Sequence, residues 1–279
     1  MVNSSNRKSK KRGVPRFDLL DAVVVVTGGG SGIGKATAEE FANSGSIVVV
    51  IDKNIESAEK TAAGVGGYAF SGDVSNFEVM KELSETIKSQ VGVPKVLVNN
   101  AGVAMTGHFL EMSRDDWDWI LGINLNGVIN GCLAFGPEMT KVGEGHIVNM
   151  SSGLGYFPRS TESAYVTSKA GVLAFSQSLR ADWFKLGIGV SAICPGIINT
   201  PIIVNTKYVG SRSQDMEEAK KVFGKGHSPK IVAKAVRRAV LKNEAVVPVG
   251  VESWLGWVLN GMLPSRVTDI LNRSEFRGV

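Results

Sequence analysis

The sequence predicts an α/β domain: a seven-stranded parallel sheet, doubly wound, with helices on both faces. Three observations predict it. Short β-branched runs that are apolar on both faces alternate with longer helical patterns. A glycine-rich turn lies between the first such run and the first helical pattern. The 279 residues suit one large domain and bury a substantial core without covalent staples.

The elements follow in order. Residues 22–26 form a first strand, the turn comes next, and 35–44 read as a helix ended by Gly45. Strand 47–51 is followed by helix 54–63, which stops at Gly64. Residues 68–70 are a short strand, 77–91 have helical spacing and 96–98 are again a strand. A long helical pattern spans 115–139, then come strand 146–150, helix 163–186 and strand 189–193. The segment 205–228 is polar, contains glycine and lacks periodicity, as expected of a functional lid, and the whole excursion 197–228 reads as a substrate loop. Helix 231–241 and strand 245–249 complete the sheet, and 251–279 form an apolar C-terminal extension of the single domain 19–279.

Composition narrows the function. Of the +5 net charge, six basic residues lie in the first 16 positions, and the remainder carries 25 basic and 26 acidic residues. The near-neutral body argues against nucleic-acid binding, and residues 1–18 read as a disordered basic tail. That tail runs into Phe17 and Asp18 without an apolar stretch, so no secretory signal is expected. No run of 18 uncharged apolar residues is present, so no spanning segment is expected. Cys132 and Cys194 lie far apart in apolar surroundings, as reduced thiols of a cytoplasmic protein do. His108, His146 and His227 share no metal-ligand spacing, so no metal is expected; His146 reads as structural and His227, in the lid, as a minor substrate candidate.

The turn Thr27–Gly34 places glycines and free N–H groups at a helix N-terminus, where a pyrophosphate is stabilised. Gly28, Gly30, Ser31, Gly32, Ile33 and Gly34 are its candidate cofactor contacts. Asp52, 24 residues after Gly28, ends the second strand, where a carboxylate accepts hydrogen bonds from the adenosine ribose and repels a 2′-phosphate. Ser31 brings no cation. NAD is therefore favoured over NADP, although Lys53 beside Asp52 tempers the preference.

These residues resemble the short-chain dehydrogenase/reductase family, in its one-domain branch. The turn matches TGxxxGxG, Asn99–Gly102 matches NNAG, and Ser152 precedes the YxxxK of Tyr165 and Lys169 by 13 residues. Asn124 resembles the family's active-site asparagine, Asp73 with Val74 its adenine-side acid, Pro195-Gly196 its PG turn and Thr200 its cofactor threonine. The matches run from Val23 to Pro201. The resemblance implies a Rossmann fold, NAD(P)-linked oxidation or reduction, and a homodimer or homotetramer. It assigns Asn100, Ala101, Gly102, Pro195, Gly196, Ile198 and Thr200 to the cofactor, together with Tyr165 and Lys169.

Chemistry agrees with these assignments. Tyr165 and Lys169 at i and i+4 share a helix face. A phenol near pKa 10 needs an adjacent ammonium, here Lys169, to act as a base near neutrality. Ser152 can bind the substrate oxygen as charge develops. By the resemblance, Asn124 holds a water in a proton relay and Lys169 holds the nicotinamide ribose. Leu154, Phe157, Ile197 and Ile202, with Gly153, Tyr156, Ile198 and Ile203 beside them, are mostly apolar substrate-pocket candidates, which points to a hydrophobic alcohol or ketone of steroid, terpenoid or long-chain type. The apolar stretch around Trp254 and Trp257 reads as core or subunit packing. With the basic tail it also allows weak peripheral membrane association. Two rival readings are a catalytically silent NAD-binding sensor and a nucleotide-sugar epimerase-like enzyme. The presence of both Tyr165 and Lys169 weighs against the first, and the turn spacing against the second.

Overall fold

The computed structural model describes residues 17–264 together with 267 and 268. The expected tail therefore lies outside the described residues apart from Phe17 and Asp18, as does most of the C-terminal extension beyond 264. Phe17 is placed: its ring meets that of His146 edge-on at 6.2 Å.

The chain alternates as expected. In order come β1 (Val23–Thr27), α1 (Gly32–Ala42), β2 (Ile47–Asp52), α2 (Ile55–Val65), β3 (Tyr68–Ser71), α3 (Phe77–Gln90) and β4 (Val96–Asn99). After β5 (Met105–Thr106) come α4 (Arg114–Leu121), a π-helical turn (Gly122–Asn126), α5 (Gly127–Val142), β6 (Gly145–Met150), α6 (Ser163–Trp183) and β7 (Ile188–Pro195). Then follow β8 (Lys207–Tyr208), α7 (Met216–Gly224), α8 (Pro229–Lys242), β9 (Val246–Val249) and α9 (Val251–Met262).

Seven strands form one parallel sheet in the order β3-β2-β1-β4-β6-β7-β9. The order reverses between β1 and β4, where open α/β sheets bind ligands at the carboxyl ends of their strands. Side chains alternate between the faces. Val24, Val26, Val48 and Val50 pack towards α1 and α8, against Phe41 and Val236. Val25, Val49, Leu97 and Ile147 pack towards α3 and α5, against Met80, Phe135 and Met139. Burying both faces explains the near-continuous apolar strands.

Local chemistry sets the helix ends. Asn54 and Asn76 cap α2 and α3 with their side-chain oxygens, and Ser113 with Asp116 forms a reciprocal capping box on α4. Helix α2 continues through Gly64 and ends at Gly66, the residue with the left-handed conformation. The long helix expected over 115–139 is interrupted by the π-helical turn. The helical stretch Arg114–Val142 is nevertheless long and apolar enough to cross a membrane, contrary to expectation; in this fold Ile120, Phe135 and Met139 lie in the core.

His146 is a core histidine of β6, 2% exposed. Its Nε2 lies 2.8 Å from the Ser191 hydroxyl, which itself donates to the Glu244 carbonyl, so the ring donates from Nε2. Burial, aided by the Arg180 charge, lowers its pKa from 6.5 to about 3. Below pH 6.5 the unfolded chain takes up a proton that the folded chain refuses. The stabilisation is therefore complete above pH 6.5 and declines by about 1.4 kcal/mol per unit as the pH falls towards 3. Between pH 7 and pH 5, denaturant titration is expected to show a loss about 2 kcal/mol greater in the wild type than in His146→Gln. Equal losses would show that the imidazole does not resist protonation.

Candidate active site

The site begins where β1 turns into α1. The α-carbon of Gly34 sits so close to Gly28 that a Cβ would lie 2.1 Å from the Gly28 carbonyl oxygen. Gly28 and Gly32 adopt positive φ angles of 61° and 52°. Asn100 closes the turn from the neighbouring strand, donating from Nδ2 to the carbonyls of Thr27 at 3.0 Å and Gly28 at 3.1 Å. Thr27 Oγ1 accepts from the N–H groups of Asn100 and Ala101. Asp52 braces the outer side: Oδ2 accepts from Gly30 N at 2.9 Å and Oδ1 from Asn54 N at 3.0 Å.

A cavity of about 220 Å³ follows this turn along the sheet edge. Its walls include Ser31, Gly32, Ile33, Asn100, Lys169 and Thr200, with Gly28, Gly102, Pro195, Gly196 and Ile198 between them. The bare backbone at the helix N-terminus and the close approach at Gly34 fit a pyrophosphate-bridged dinucleotide. Gly30, Gly34, Asp52, Lys53, Asp73, Val74 and Ala101 do not line this cavity. Gly30, Gly34 and Ala101 shape its turn, and Asp52 supports Gly30. Asp73 accepts from Ser75 and pairs with Lys53 Nζ at 2.8 Å, while Val74 packs beneath Gly127.

Three of the four expected catalytic side chains meet along one wall. Tyr165 and Lys169 project from the first turns of α6, with Lys169 Nζ 5.8 Å from the phenol ring centroid. Ser152 follows β6 and lies near enough to the Tyr165 hydroxyl to act on its ionisation. Lys169 donates to the Met150 carbonyl at 3.0 Å. Asn124 stands behind them in the π-helical turn, fully buried. It is locked to Val103 by N–H···Oδ1 at 2.8 Å and Nδ2–H···O at 2.9 Å, and its Nδ2 also reaches Ser168 Oγ at 3.1 Å. Asn124 Oδ1 and Lys169 Nζ approach the same spot, since a Cβ on Gly102 would meet them at 3.1 and 3.3 Å.

The electrostatics depart from expectation in one respect. Burial pushes Tyr165 up to about 12, partly offset by the nearby Ser152 side chain and reinforced by the charge of Glu162. The expected depression by Lys169 is not seen. Lys169 is itself brought down to about 8 by burial. Both residues are thus biased towards neutral forms.

A second cavity, of about 200 Å³, opens on the other side of Ser152 and Tyr165. All six expected substrate contacts, Ser152, Leu154, Phe157, Tyr165, Ile197 and Ile202, line it, as do Gly153 and Ile203. Tyr156 does not. It is buried, its hydroxyl donates to Ser253 O at 2.8 Å, and its ring meets Trp257 edge-on at 5.1 Å. Ile198 belongs to the first cavity. The cavity is largely apolar, as expected, and Arg159, Glu162, Arg212 and Asp215 add charged groups to its lining. Tyr208, Arg212 and Asp215 were missed because the segment 197–228 carries no periodic signal, and Arg159 and Glu162 because they stand in the irregular stretch before α6. The segment expected to be a lid contains α7, and its short strand β8 pairs with β5. His227 is drawn away from the cavity: its Nε2 is 3.2 Å from Glu252 Oε2. Cys132 and Cys194 are buried free thiols with pKa values raised to about 12 by burial. Among the described residues no cluster suited to a metal ion occurs.

Comparison with known proteins places this geometry. The model of the short chain dehydrogenases matches residues 22–208. A probable oxidoreductase EphD of Mycobacterium tuberculosis is 38% identical over 265 residues, covering 90% of this chain and 45% of its own length. The chain thus spans about half the length of that relative. A D-threitol dehydrogenase of Mycolicibacterium smegmatis is 37% identical over 191 residues, covering 67% of this chain and 74% of its own length. A short chain dehydrogenase/reductase of Burkholderia phymatum, solved in complex with NAD, superposes with a TM-score of 0.82 at 25% identity, covering 94% of this chain and 99% of that one.

The contact between Gly34 and Gly28 is backbone to backbone, so neither partner can swing aside. Gly34→Ala is expected to lower unfolding stability by about 1–3 kcal/mol and to weaken dinucleotide binding at least tenfold. Calorimetric unfolding and titration with NAD check both effects. Wild-type values for both would show that the turn tolerates a Cβ.

Proposed function

The chain belongs to the short-chain dehydrogenase family, and from that premise we propose that it interconverts a secondary alcohol and a ketone with NAD. The observation that carries this reading is the position of Ser152 and Tyr165 in the shared wall of the two cavities. A dinucleotide in the first and a substrate in the second would meet beside one phenol and one hydroxyl. The nicotinamide supplies or accepts the hydride. The chain's own residues bind, orient and handle the proton.

Ser152 donates a hydrogen bond to the substrate oxygen, and Tyr165 gives or takes the proton at that oxygen. A phenol held near 12 is protonated at neutral pH, which suits donation to a ketone being reduced. Alcohol oxidation requires the phenolate, which the Lys169 ammonium stabilises when charged. With its own pKa brought to about 8, Lys169 exchanges a proton near neutrality and can recharge the site. Asn124 acts from behind by holding the loop after β4 in place. The apolar wall of Leu154, Phe157, Ile197 and Ile202 favours a hydrophobic group next to the reacting carbon.

NAD is preferred for an electrostatic reason. Asp52 stands at the end of β2, Ser31 is neutral, and Lys53 is engaged by Asp73 rather than turned towards the turn. A 2′-phosphate beside Asp52 would meet a carboxylate and no cation. The exposed apolar side chains of α9, Trp254, Leu255 and Met262, suit a homo-oligomer contact.

Two measurements test the reading. Tyr165→Phe is expected to lower kcat about 10²- to 10⁴-fold while NAD binding stays within a fewfold of the wild type. Retained turnover would remove Tyr165 from the proton transfer. The wild type is expected to favour NAD over NADP about tenfold or more in kcat/KM, and Asp52→Asn to narrow that ratio by removing the like-charge repulsion. Preference for NADP in the wild type would overturn the role given to Asp52.

A further inference from the structure

The far wall of the substrate cavity holds a carboxylate that the proposed reaction does not use. Glu162 lies three residues before Tyr165, one helical turn away, at the N-cap position of α6. It lines the cavity, and its charge is felt by Tyr165 and by Tyr208 across the cavity. The other acids of that wall are engaged. Asp215 pairs with Arg212 at 2.5 Å, Glu252 accepts from Ile197 N at 2.7 Å and faces His227, and Glu218 also has a partner. Among the described residues, the Glu162 carboxylate makes no hydrogen bond and no ion pair, although Arg159 and Arg212 are close enough to act on it through space.

The backbone supports a deliberate placement. Thr161, a β-branched residue, has φ of +63°. Such a conformation costs about 1–3 kcal/mol and persists only where its surroundings impose it. Here they do: the Thr161 carbonyl accepts from Gly107 N at 2.8 Å and Thr106 Oγ1 at 3.3 Å, pinning the entry to α6 against β5. The pinned turn delivers Glu162 to the cavity.

Resting on the oxidoreductase reading above, we propose that Glu162 is a specificity residue whose carboxylate accepts a hydrogen bond from a second hydroxyl on the substrate, remote from the carbon that is oxidised or reduced. The substrate is then an apolar molecule with two oxygen functions: a diol, or the matching hydroxyketone. A hydroxyl fits better than an ammonium, because Arg159 and Arg212 already supply positive charge there. It also suits a carboxyl whose pKa burial raises to about 7, since a hydroxyl can donate to the ionised form and accept from the protonated one. The titratable groups that share the cavity with Glu162 are Arg159 ahead of α6, Tyr165 on α6, Tyr208 on β8, Arg212 and Asp215 after it, Glu218 on α7 and Glu252 on α9.

The test uses full-length protein and medium-chain alkan-2-ols, each paired with diols in which a second hydroxyl is moved stepwise along the chain. Binding to the NAD complex of Tyr165→Phe is measured with and without Glu162→Ala. For at least one spacing the diol is expected to bind about tenfold or more tightly than its mono-alcohol, as for a hydrogen bond to a charged group. Glu162→Ala should bring that ratio to near one. A purely structural loss would weaken both ligands equally and leave the ratio unchanged. No diol preference at any spacing, an unchanged ratio in the variant, or preference for amino-alcohols would each overturn the proposal. Turnover by the wild type is read separately: diol binding that depends on Glu162 without turnover would sink the oxidoreductase reading and leave this one standing.

Discussion

Two backbones meet without side chains at Gly34 and Gly28, and the exits of β1 and β4 are fastened together around that meeting. Thr27 and Asn100 do the fastening, through four hydrogen bonds that cross the point where strand order reverses. Without this clasp, the ends of β1 and β4 would be free to splay, and the crevice between them would lose its floor. With it, the loops after β4, β6 and β7 are hung from a common edge. Both cavities derive their walls from those loops, so the geometry of the proposed reaction depends on a contact that makes none of the chemistry.

A second set of buried polar contacts transmits that rigidity to α6. Ser151 donates to the Lys169 carbonyl at 2.7 Å, tying the end of β6 to the second turn of α6. Asn124 ties the π-helical turn to Val103 and to Ser168 of α6. The π-helical turn is what allows an asparagine within a long helical stretch to face the strand loop with its side chain fully paired. The positions of Tyr165 and Lys169 are therefore set from both sides. A half-buried phenol and a buried amine each pay in desolvation, and their neutral bias follows from that enclosure.

The sheet was legible in the sequence because its strands are buried on both faces, which leaves continuous β-branched runs that no helix or loop imitates at that length. The glycine turn and the Ser152, Tyr165 and Lys169 set could be singled out because together, in order, they match one family pattern, and the structure gathers Ser152, Tyr165 and Lys169 on one cavity wall. What was not legible depends on tertiary contacts. The pairing of β5 with β8 joins two-residue strands separated by a hundred positions, too short for any periodic signal. Tyr156 reads like its pocket-lining neighbours, yet a hydrogen bond to Ser253 in α9 turns it inward. The pKa of Tyr165 could not be read from the i,i+4 lysine, because burial, which spacing does not reveal, sets its direction. Glu162 did stand one helical turn ahead of Tyr165, a spacing visible in the sequence, but only the pinned turn at Thr161 shows where it leads.

The division between what is local and what is tertiary also separates reaction from specificity. Each group proposed to move a proton or hold the dinucleotide comes from the ends of sheet strands or the first turns of α6, elements whose burial leaves little room to vary. The far wall of the second cavity is built differently, from the β5–β8 pair, the segment with Arg212 and Asp215, and the entry to α6. Those elements are short and partly exposed, and they bury few apolar side chains in the main core. They can change shape or charge at small cost to the sheet, whereas Thr161 shows that holding one of them in place requires strain. A strained residue kept at the mouth of a helix is hard to explain by packing alone, since a glycine there would relieve it. Its position beside a carboxylate that has no hydrogen bond or ion pair among the described residues is what the proposed recognition role for that wall rests on.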